Sequence, residues 1–449
     1  MNEVREFCDL RFKLECQQMV LRRAGPRPME ITGPGEIWQD AEGGLHFKIF
    51  AGDGGRKLRV DEGAHPKPIG EMFREEDYFQ LTAEKSFGAL WQSARVLPRA
   101  GLFDRMVRGE LSELSRVAPC PSKELALARL RFRGKQEFPC NEGTRTVVQV
   151  GGRDRYIEDA LNVAVFEEGT VGFEIAHEAE HTVLTLSLAR SDYHEASASR
   201  VHETLQFVLG KQLAWMALET TMGGEQVTKL MSPSRSFASM LPPLTIRPID
   251  PGGDFWRMFC DYFRYVHSDK GDLWHPLSRH VGSAIDAHGA SLEASLLALA
   301  VAVEGVAGDC FSDLASAGDE TVREIEVALS AVRGLGLSEQ VTSRIMGSLG
   351  VMKQTRTSDV VRAFIAKHGL PKGLYKAWSK ARNTTAHGDA QKLTAERTLG
   401  LGLETLSLFY ALVFEAIGYR GMRTDYSARD WPNVPWPITE SASPGSEVQ

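Results

Sequence analysis

Cysteine is scarce in this chain, and no two cysteines lie close together in sequence. The six cysteines among the 449 residues are scattered, and none forms a Cys-x-x-Cys pair. A zinc ribbon requires such pairs, and a small secreted domain held by disulfides requires many cysteines, so we expect neither. Reduced thiols fit a cytoplasmic protein.

A basic excess and a long hydrophobic run are also missing. A net charge of -7 argues against a protein that coats nucleic acid over its whole surface, so any nucleic-acid site must be local. The most apolar stretch, residues 290–306, contains two glutamates and is short for a membrane span, so we expect a buried helix and no membrane. The N-terminal residues lack the basic-then-apolar order of a signal peptide, which again favours the cytoplasm.

The first half of the chain carries strand signals. Residues 36–38 and 45–50 flank a Gly-Gly turn and predict a hairpin, and the alternation between residues 146 and 176 predicts an antiparallel meander. The period then becomes helical, and one side of residues 201–218 is apolar, which predicts a helix beside the sheet.

The second half is predicted to be a helix bundle. Apolar helical patterns recur in seven stretches, at 255–268, 291–316, 320–334, 338–350, 358–368, 372–386 and 395–417. The fold class is therefore α+β, with a β-rich N-terminal domain followed by an all-α bundle. The predicted parts are a β-rich N-terminal domain (1–235), to which the family resemblance described below assigns a sensing or regulatory role, a Pro- and Gly-rich linker (236–254), the helical domain (255–427) and a Pro-rich disordered tail (428–449).

One short motif in the bundle can carry chemistry: Ala381-Arg382-Asn383-Thr384-Thr385-Ala386-His387-Gly388. An Arg and a His at this spacing are common, and similar spacings occur at Arg59 to His65 and at Arg362 to His368. The motif differs because Asn follows the Arg, small residues flank it, and long apolar helices lie on both sides. Phosphodiester transfer needs a group that moves protons near neutral pH and a fixed cation on the phosphate, and His with Arg supplies both without a metal.

The surroundings of this motif are basic. Residues 371–397 hold six basic side chains (Lys372, Lys376, Lys380, Arg382, Lys392, Arg397) and two acidic ones, a charge of +4 in a chain of net -7. This polarity favours a polyanion, and Lys376, Lys380 and Lys392 are the candidate RNA-binding lysines. The alternative is an ordinary solvated helix face.

Glu304 stands in an otherwise apolar helical stretch, where a carboxylate is costly to bury unless it is paired. It is an accessory candidate that could orient His387 or Arg382. The alternatives are a partly exposed helix residue or a structural ion-pair partner.

A competing motif, His177-Glu178-Ala179-Glu180-His181, matches the His-Glu-x-x-His pattern of zinc peptidases. That pattern works on a helix, where side chains four residues apart share one face and one metal. Its flanks here read as strands, and on one strand the two histidines would stand about 13 Å apart. We therefore expect a solvated strand face here, with the zinc peptidase as a remote alternative.

The Ala-Arg-Asn-x-x-Ala-His-Gly pattern resembles the active-site signature of the HEPN (higher eukaryotes and prokaryotes nucleotide-binding) ribonucleases over about 140 C-terminal residues. A β-rich first half before a terminal HEPN bundle is similar to the ApeA-type abortive-infection proteins of bacteria, through the Gly33-Pro34-Gly35-Glu36-Ile37-Trp38 opening, the hairpin and the sheet-then-helix run. The resemblance implies a cofactor-independent anti-phage endoribonuclease that cuts RNA, plausibly tRNA, after a phage-derived trigger.

The resemblance also implies roles for the motif residues. His387 would assist attack of the ribose 2′-hydroxyl or protonate the leaving oxygen, Arg382 would clamp the phosphate, and Asn383 would orient it or donate a hydrogen bond. Five positions on a helix separate two side chains by about 140°, so either the helix breaks near His387 or two subunits share a composite site. We favour the homodimer. A non-catalytic HEPN module for dimerisation or RNA binding is the main alternative function.

Overall fold

The computed structural model describes residues 3–25, 27–64, 73–85, 88–100, 105–121, 125–150, 153–178, 180–233, 238–246, 253–271, 274–315, 319–352, 356–386 and 394–438. The chain divides into two compact units. Unit 1 comprises Met1–His202 and Leu213–Ser236, and unit 2 comprises Glu203–Gln212 and Phe237–Gln449. The fold contains helices and a large antiparallel sheet, so the α+β class predicted from the sequence is confirmed.

The described residues of unit 1 form one fifteen-stranded antiparallel sheet, in the order β10-β11-β12-β13-β9-β14-β15-β8-β5-β4-β1-β2-β3-β7-β6. The strands are β1 (Lys13–Arg23), β2 (Met29–Gln39), β3 (Leu45–Phe50), β4 (Phe79–Lys85), β5 (Leu90–Val96), β6 (Arg99–Ala100), β7 (Met106–Leu111), β8 (Glu113–Pro119), β9 (Leu125–Arg133), β10 (Glu142–Val150), β11 (Arg153–Glu168), β12 (Val171–Glu178), β13 (His181–Ala189), β14 (Trp215–Met222) and β15 (Glu225–Met231). Two short helices, α1 (Glu3–Cys8) and α2 (Gly54–Ala64), and a 3₁₀ turn at Glu75–Asp77 accompany it.

The hairpin of β2 and β3 illustrates how the sequence specifies this sheet. In β3, the apolar residues Leu45, Phe47 and Ile49 alternate with polar ones and are buried, as a strand with one covered face requires. The turn is closed by Asp40, whose carboxylate accepts the N–H of Gly44 at 2.7 Å. Both the hairpin and the meander of β10 to β12 predicted from the sequence are confirmed.

The predicted helix at residues 201–218 is wrong beyond its first half. Helix α3 covers Ser197–Leu209 and contributes to both units, which divide between His202 and Glu203. Gly210 follows with a φ of +61°, a left-handed conformation that ends helices. The β-branched and aromatic residues that follow form β14. The prediction failed because the apolar spacing of the sequence continues beyond Leu209, where the helix ends.

The described part of unit 2 is mainly helical. Its helices after α3 are α4 (Gly253–His267), α5 (Pro276–His288), α6 (Leu292–Phe311), α7 (Asp319–Gly334), α8 (Glu339–Met352), α9 (Thr357–Lys367), α10 (Lys372–Ala386) and α11 (Ala395–Ala416), with a 3₁₀ turn at Ser312–Ala315. The seven stretches predicted as helical match α4 and α6 to α11, whereas the sequence reading missed α5. The unit also contains a two-stranded sheet of β16 (Gly421–Thr424) and β17 (Asn433–Trp436), so the prediction of an all-α second half is wrong.

Helix α6 is the framework on which the site residues of unit 2 are arranged. It packs against α5, α10 and α11, and its Leu296, Val303 and Val306 are buried. Two helical segments, Leu292–Ala315 and Ala395–Ala416, are long and apolar enough to cross a membrane by length and composition alone. The buried share of their apolar windows is 39% and 61%, respectively.

Two segments expected to lack regular packing are ordered. In the predicted linker, Met240 and Leu244 are buried, and the hydroxyl of Tyr410 donates to the Leu241 carbonyl at 2.5 Å. The first part of the predicted disordered tail forms β17, and Trp436 is 2% exposed. Proline content suggested disorder in both places, but the large apolar side chains between the prolines supply enough buried area to fix the chain.

Candidate active site

Helix α10 is held in the bundle by one apolar face. Leu374, Ala377, Trp378 and Ala381 are buried at helical spacing, which explains why the residues before and within the motif form a helix. The indole N–H of Trp378 donates to the Ala300 carbonyl of α6 at 3.1 Å. This contact anchors α10 on α6 one turn before Arg382.

Arg382 contacts the carboxylate of Glu304 on α6. The Nε of Arg382 meets Oε1 of Glu304, so Glu304 is the ion-pair partner of Arg382. Opposite charges attract the two atoms, but their geometry is not that of a hydrogen bond, since Oε1 has no hydrogen-bond partner among the described residues. The Arg382 side chain is 50% exposed and that of Glu304 is 25% exposed, so the guanidinium contacts α6 and is half accessible to solvent.

The other basic residues of α10 do not share the face of Arg382. At 100° per residue, Lys376 and Lys380 lie about 40° apart, whereas Arg382 lies about 120° from Lys376 and about 160° from Lys380. Asn383 lies close to the lysine side and is exposed. The structure therefore brings Glu304 and Arg382 together and separates them from the lysines and Asn383.

Two predicted site residues, His387 and Lys392, lie outside the described residues. Helix α10 is described as far as Ala386, the residue before His387. The approach of His387 to Arg382 therefore stays a prediction.

A histidine that the sequence reading missed lies on the other side of α6. His280 of α5 places its Nε2 2.9 Å from the Oδ2 of Asp309 on α6. Its ring lies against Gly305, where a Cβ would stand 2.0 Å from the His280 Cε1. The signal that could have found it is the apolar spacing of Leu277, Val281 and Ile285, with Pro276 at the first helical position.

An exposed apolar stripe on α6, consisting of Leu297 and Val301, lies between the sides that meet α10 and α5. Leu297 is 38% exposed and Val301 is 52% exposed. On a helical projection both fall between Glu304, which meets Arg382, and Gly305, which meets His280. Because the two residues are four positions apart, they present adjacent aliphatic surface to solvent.

The His177 to His181 segment does not have the geometry of a zinc peptidase. The strands β12 and β13 form a hairpin here, with Glu178 opposite His181 and His177 opposite Thr182. Residues directly opposite share a face and neighbours alternate, so the two histidines point to opposite faces of the sheet. The sequence analysis argued against a shared zinc because a single strand would hold the two histidines far apart. That reason was wrong, because the chain turns between β12 and β13. Among the described residues, no group of three or more His, Cys, Asp or Glu side chains could hold a metal ion.

Comparison with known proteins gave no match: no protein-family model, no curated protein and no solved structure is similar to this chain.

Proposed function

We propose that this protein is a metal-independent endoribonuclease of the HEPN type, with Arg382, Asn383 and His387 as its active-site residues. The observation that carries the proposal is the half-exposed Arg382, held by the carboxylate of Glu304 from a neighbouring helix. A half-exposed guanidinium that is positioned by a carboxylate is suited to clamp a phosphodiester.

The reaction would be transesterification within RNA. The ribose 2′-oxygen attacks phosphorus and loses its proton to a base, and the bond from phosphorus to the 5′-oxygen breaks as that oxygen takes a proton. The products are a 2′,3′-cyclic phosphate and a 5′-hydroxyl end. Arg382 stabilises the charge that develops on the phosphate, and His387 moves one of the two protons.

The lysines of α10 have a different role in this scheme. Lys376 and Lys380 share a face that Arg382 does not, so they cannot readily clamp the same phosphate. The positive charges of these two lysines would attract the flanking RNA backbone and raise the rate of association. Lys392, in the same basic stretch, is assigned the same role.

A homodimer completes the site in this proposal. The stripe of Leu297 and Val301 lies on the same helix as Glu304, and a second copy covering it would bury aliphatic surface that is now exposed. Two copies related by a two-fold axis would present the same stripe to each other and bring two Arg382 sites toward the seam.

The biological setting follows from the family resemblance. A cytoplasmic ApeA-type protein would keep this nuclease inactive until a phage-derived signal acts, and then cleave RNA, plausibly tRNA, in abortive infection. Unit 1 would be the part that senses the signal or restrains the nuclease.

Host growth tests the proposal. We expect expression of the protein, with phage challenge where a trigger is needed, to stop growth, and Arg382→Ala and His387→Ala to restore it. Arg362→Ala is the matched control, because Arg362 is an exposed arginine with a similarly spaced histidine at position 368. Growth arrest that persists in both site variants at equal protein levels would contradict the proposal.

That contrary result would support a second function, a non-catalytic module that dimerises or binds RNA. The exposed stripe of Leu297 and Val301 favours it, since a dimer surface needs no catalytic group. In that case Val301→Asp would abolish the phenotype and Arg382→Ala would not.

A further inference from the structure

We propose that one face of the sheet in unit 1 binds single-stranded RNA, with bases stacked on aromatic rings and phosphates held by a row of basic side chains. The face lies at the end of the sheet, on β2, β3, β7 and β6, which are neighbours in that order. The inference goes beyond the proposed nuclease site, which lies in unit 2, and rests on that proposed function only for the choice of RNA over DNA. We name this face the aromatic-basic patch, and it consists of Trp38, His46, Lys48, Phe50, Arg99 and Arg108.

The strand register places the six side chains of the patch on one face. His46, Lys48 and Phe50 are alternate residues of β3, and the apolar residues between them are buried on the opposite face. Residues directly across a pair of strands point the same way. The pairs that extend the patch across the sheet are Trp38 with His46, Lys48 with Arg108, and Arg108 with Arg99.

The basic part of the patch is a row of three cations on adjacent strands. Lys48, Arg108 and Arg99 follow one another across β3, β7 and β6, and like charges directly opposite each other destabilise a sheet. Lys48 is compensated by an ion pair with Glu36. The two arginines are exposed, and neither has an ion-pair partner among the described residues. A bound polyanion would offset the repulsion between them.

The aromatic part of the patch suits unpaired bases. The Phe50 side chain is 52% exposed, and the rings of Trp38 and His46 are stacked at 5.7 Å with 22° between their planes. Asp40 holds the imidazole, with its Oδ2 2.7 Å from the Nε2 of His46. The Nζ of Lys48 lies 5.7 Å from the Trp38 ring and 5.6 Å from the Phe50 ring. The first cation of the row therefore lies among the aromatic rings.

The combination of rings and cations selects the occupant. Proteins that bind single-stranded nucleic acid place bases on aromatic side chains and phosphates on basic ones, whereas a duplex keeps its bases stacked within itself. An acidic peptide would match the cations but would leave the rings without a planar partner. Acidic side chains border the patch, with Glu36 beside Lys48 and Glu110 opposite His46. The positive side is therefore the edge at β6, where the phosphates would lie.

Binding of an oligouridine RNA of about 12 nucleotides to the full-length protein tests the proposal. Every protein in the assay carries Arg382→Ala, so that the proposed nuclease does not cleave the probe. Phe50→Leu removes a ring but keeps an apolar side chain, and Arg108→Ala removes one cation. The matched controls are Phe73→Leu, at a phenylalanine that is 51% exposed, and Arg129→Ala, at an exposed arginine of β9.

We expect Phe50→Leu to weaken RNA binding about tenfold, because one base loses its stacking partner. Arg108→Ala should weaken binding and reduce the slope of log affinity against log salt by about 0.7, the value for one phosphate contact with a single strand. Both controls should bind RNA as the parent protein does. Ultraviolet crosslinking should attach uridine to the peptide that contains Trp38 or Phe50, as identified by mass spectrometry.

Unchanged affinity in both patch variants would overturn the proposal, as would equal weakening in the two controls. Tighter binding of oligothymidine DNA or of duplex RNA would overturn the choice of occupant, and so would oligoglutamate that displaces the probe as well as unlabelled RNA does. Cleavage by the protein that retains Arg382 is measured separately. Cleavage without patch-dependent binding refutes the patch alone, and patch-dependent binding without cleavage refutes the nuclease alone.

Discussion

The ion pair of Arg382 and Glu304 allows catalysis and stability to be separated by a double-mutant cycle. Arg382→Ala, Glu304→Gln and the double variant are compared with the wild type. Because the two side chains are 50% and 25% exposed, their mutual attraction is worth about 1 kcal/mol or less in the free energy of unfolding. Loss of a fixed charge that stabilises the transition state costs about 3 to 4 kcal/mol in the activation free energy.

We therefore expect Arg382→Ala to unfold within about 1 kcal/mol of the wild type and to cleave RNA at least about 100-fold more slowly. Glu304→Gln should lose less, about tenfold, because the guanidinium remains but is less well oriented. Urea denaturation measures the first quantity and single-turnover cleavage the second. A fall of 3 kcal/mol or more in the stability of Arg382→Ala would refute the reasoning, as would full activity in a stable Arg382→Ala protein.

Three further predictions concern the stripe, a buried histidine and the anchor of α10. Val301→Asp should convert the proposed dimer to a monomer in sedimentation, whereas the control Val327→Asp, at an even more exposed valine on α7, should leave the dimer intact. Burial lowers the pKa of His202 to about 4, against 6.5 when unfolded, so its stabilising contribution is present above pH 6.5 and is lost as the pH falls to about 4. The free energy of unfolding should fall by up to about 3 kcal/mol over that interval, less so in His202→Gln, and parallel curves for the two proteins would contradict this. Trp378→Phe removes the hydrogen bond to α6 and should lower the unfolding free energy by about 1 to 2 kcal/mol in urea denaturation, and an unchanged midpoint would show that this bond is not an anchor.

Much of the fold could be predicted because periodicity follows burial directly. The alternation in β3 and the apolar face of α11 each reflect one covered side, and both were visible in the sequence. Helix α5 was not predicted because Gly282 and several polar residues interrupt its short apolar pattern. The hairpin of β16 and β17 was not predicted because its packing depends on Trp436. The burial of Trp436 depends on residues distant in sequence, such as His368 and Phe414.

The candidate site could be predicted only where its residues are close in sequence. The motif singled out Arg382 as a candidate, and the cost of burying a carboxylate singled out Glu304, but the two residues lie 78 positions apart on different helices. The lysines were grouped with Arg382 by charge, although the helix turns them to another face. His280 carries no motif at all, since its partner Asp309 lies on a different helix.

The most direct test of the central claim is the chemistry of the RNA ends that the purified protein produces in EDTA. We expect 2′,3′-cyclic phosphate and 5′-hydroxyl ends from the wild-type protein and from Arg362→Ala, and none from Arg382→Ala or His387→Ala. Equal yields of these ends from Arg382→Ala, or cleavage that occurs only when a divalent metal is restored, would contradict the claim.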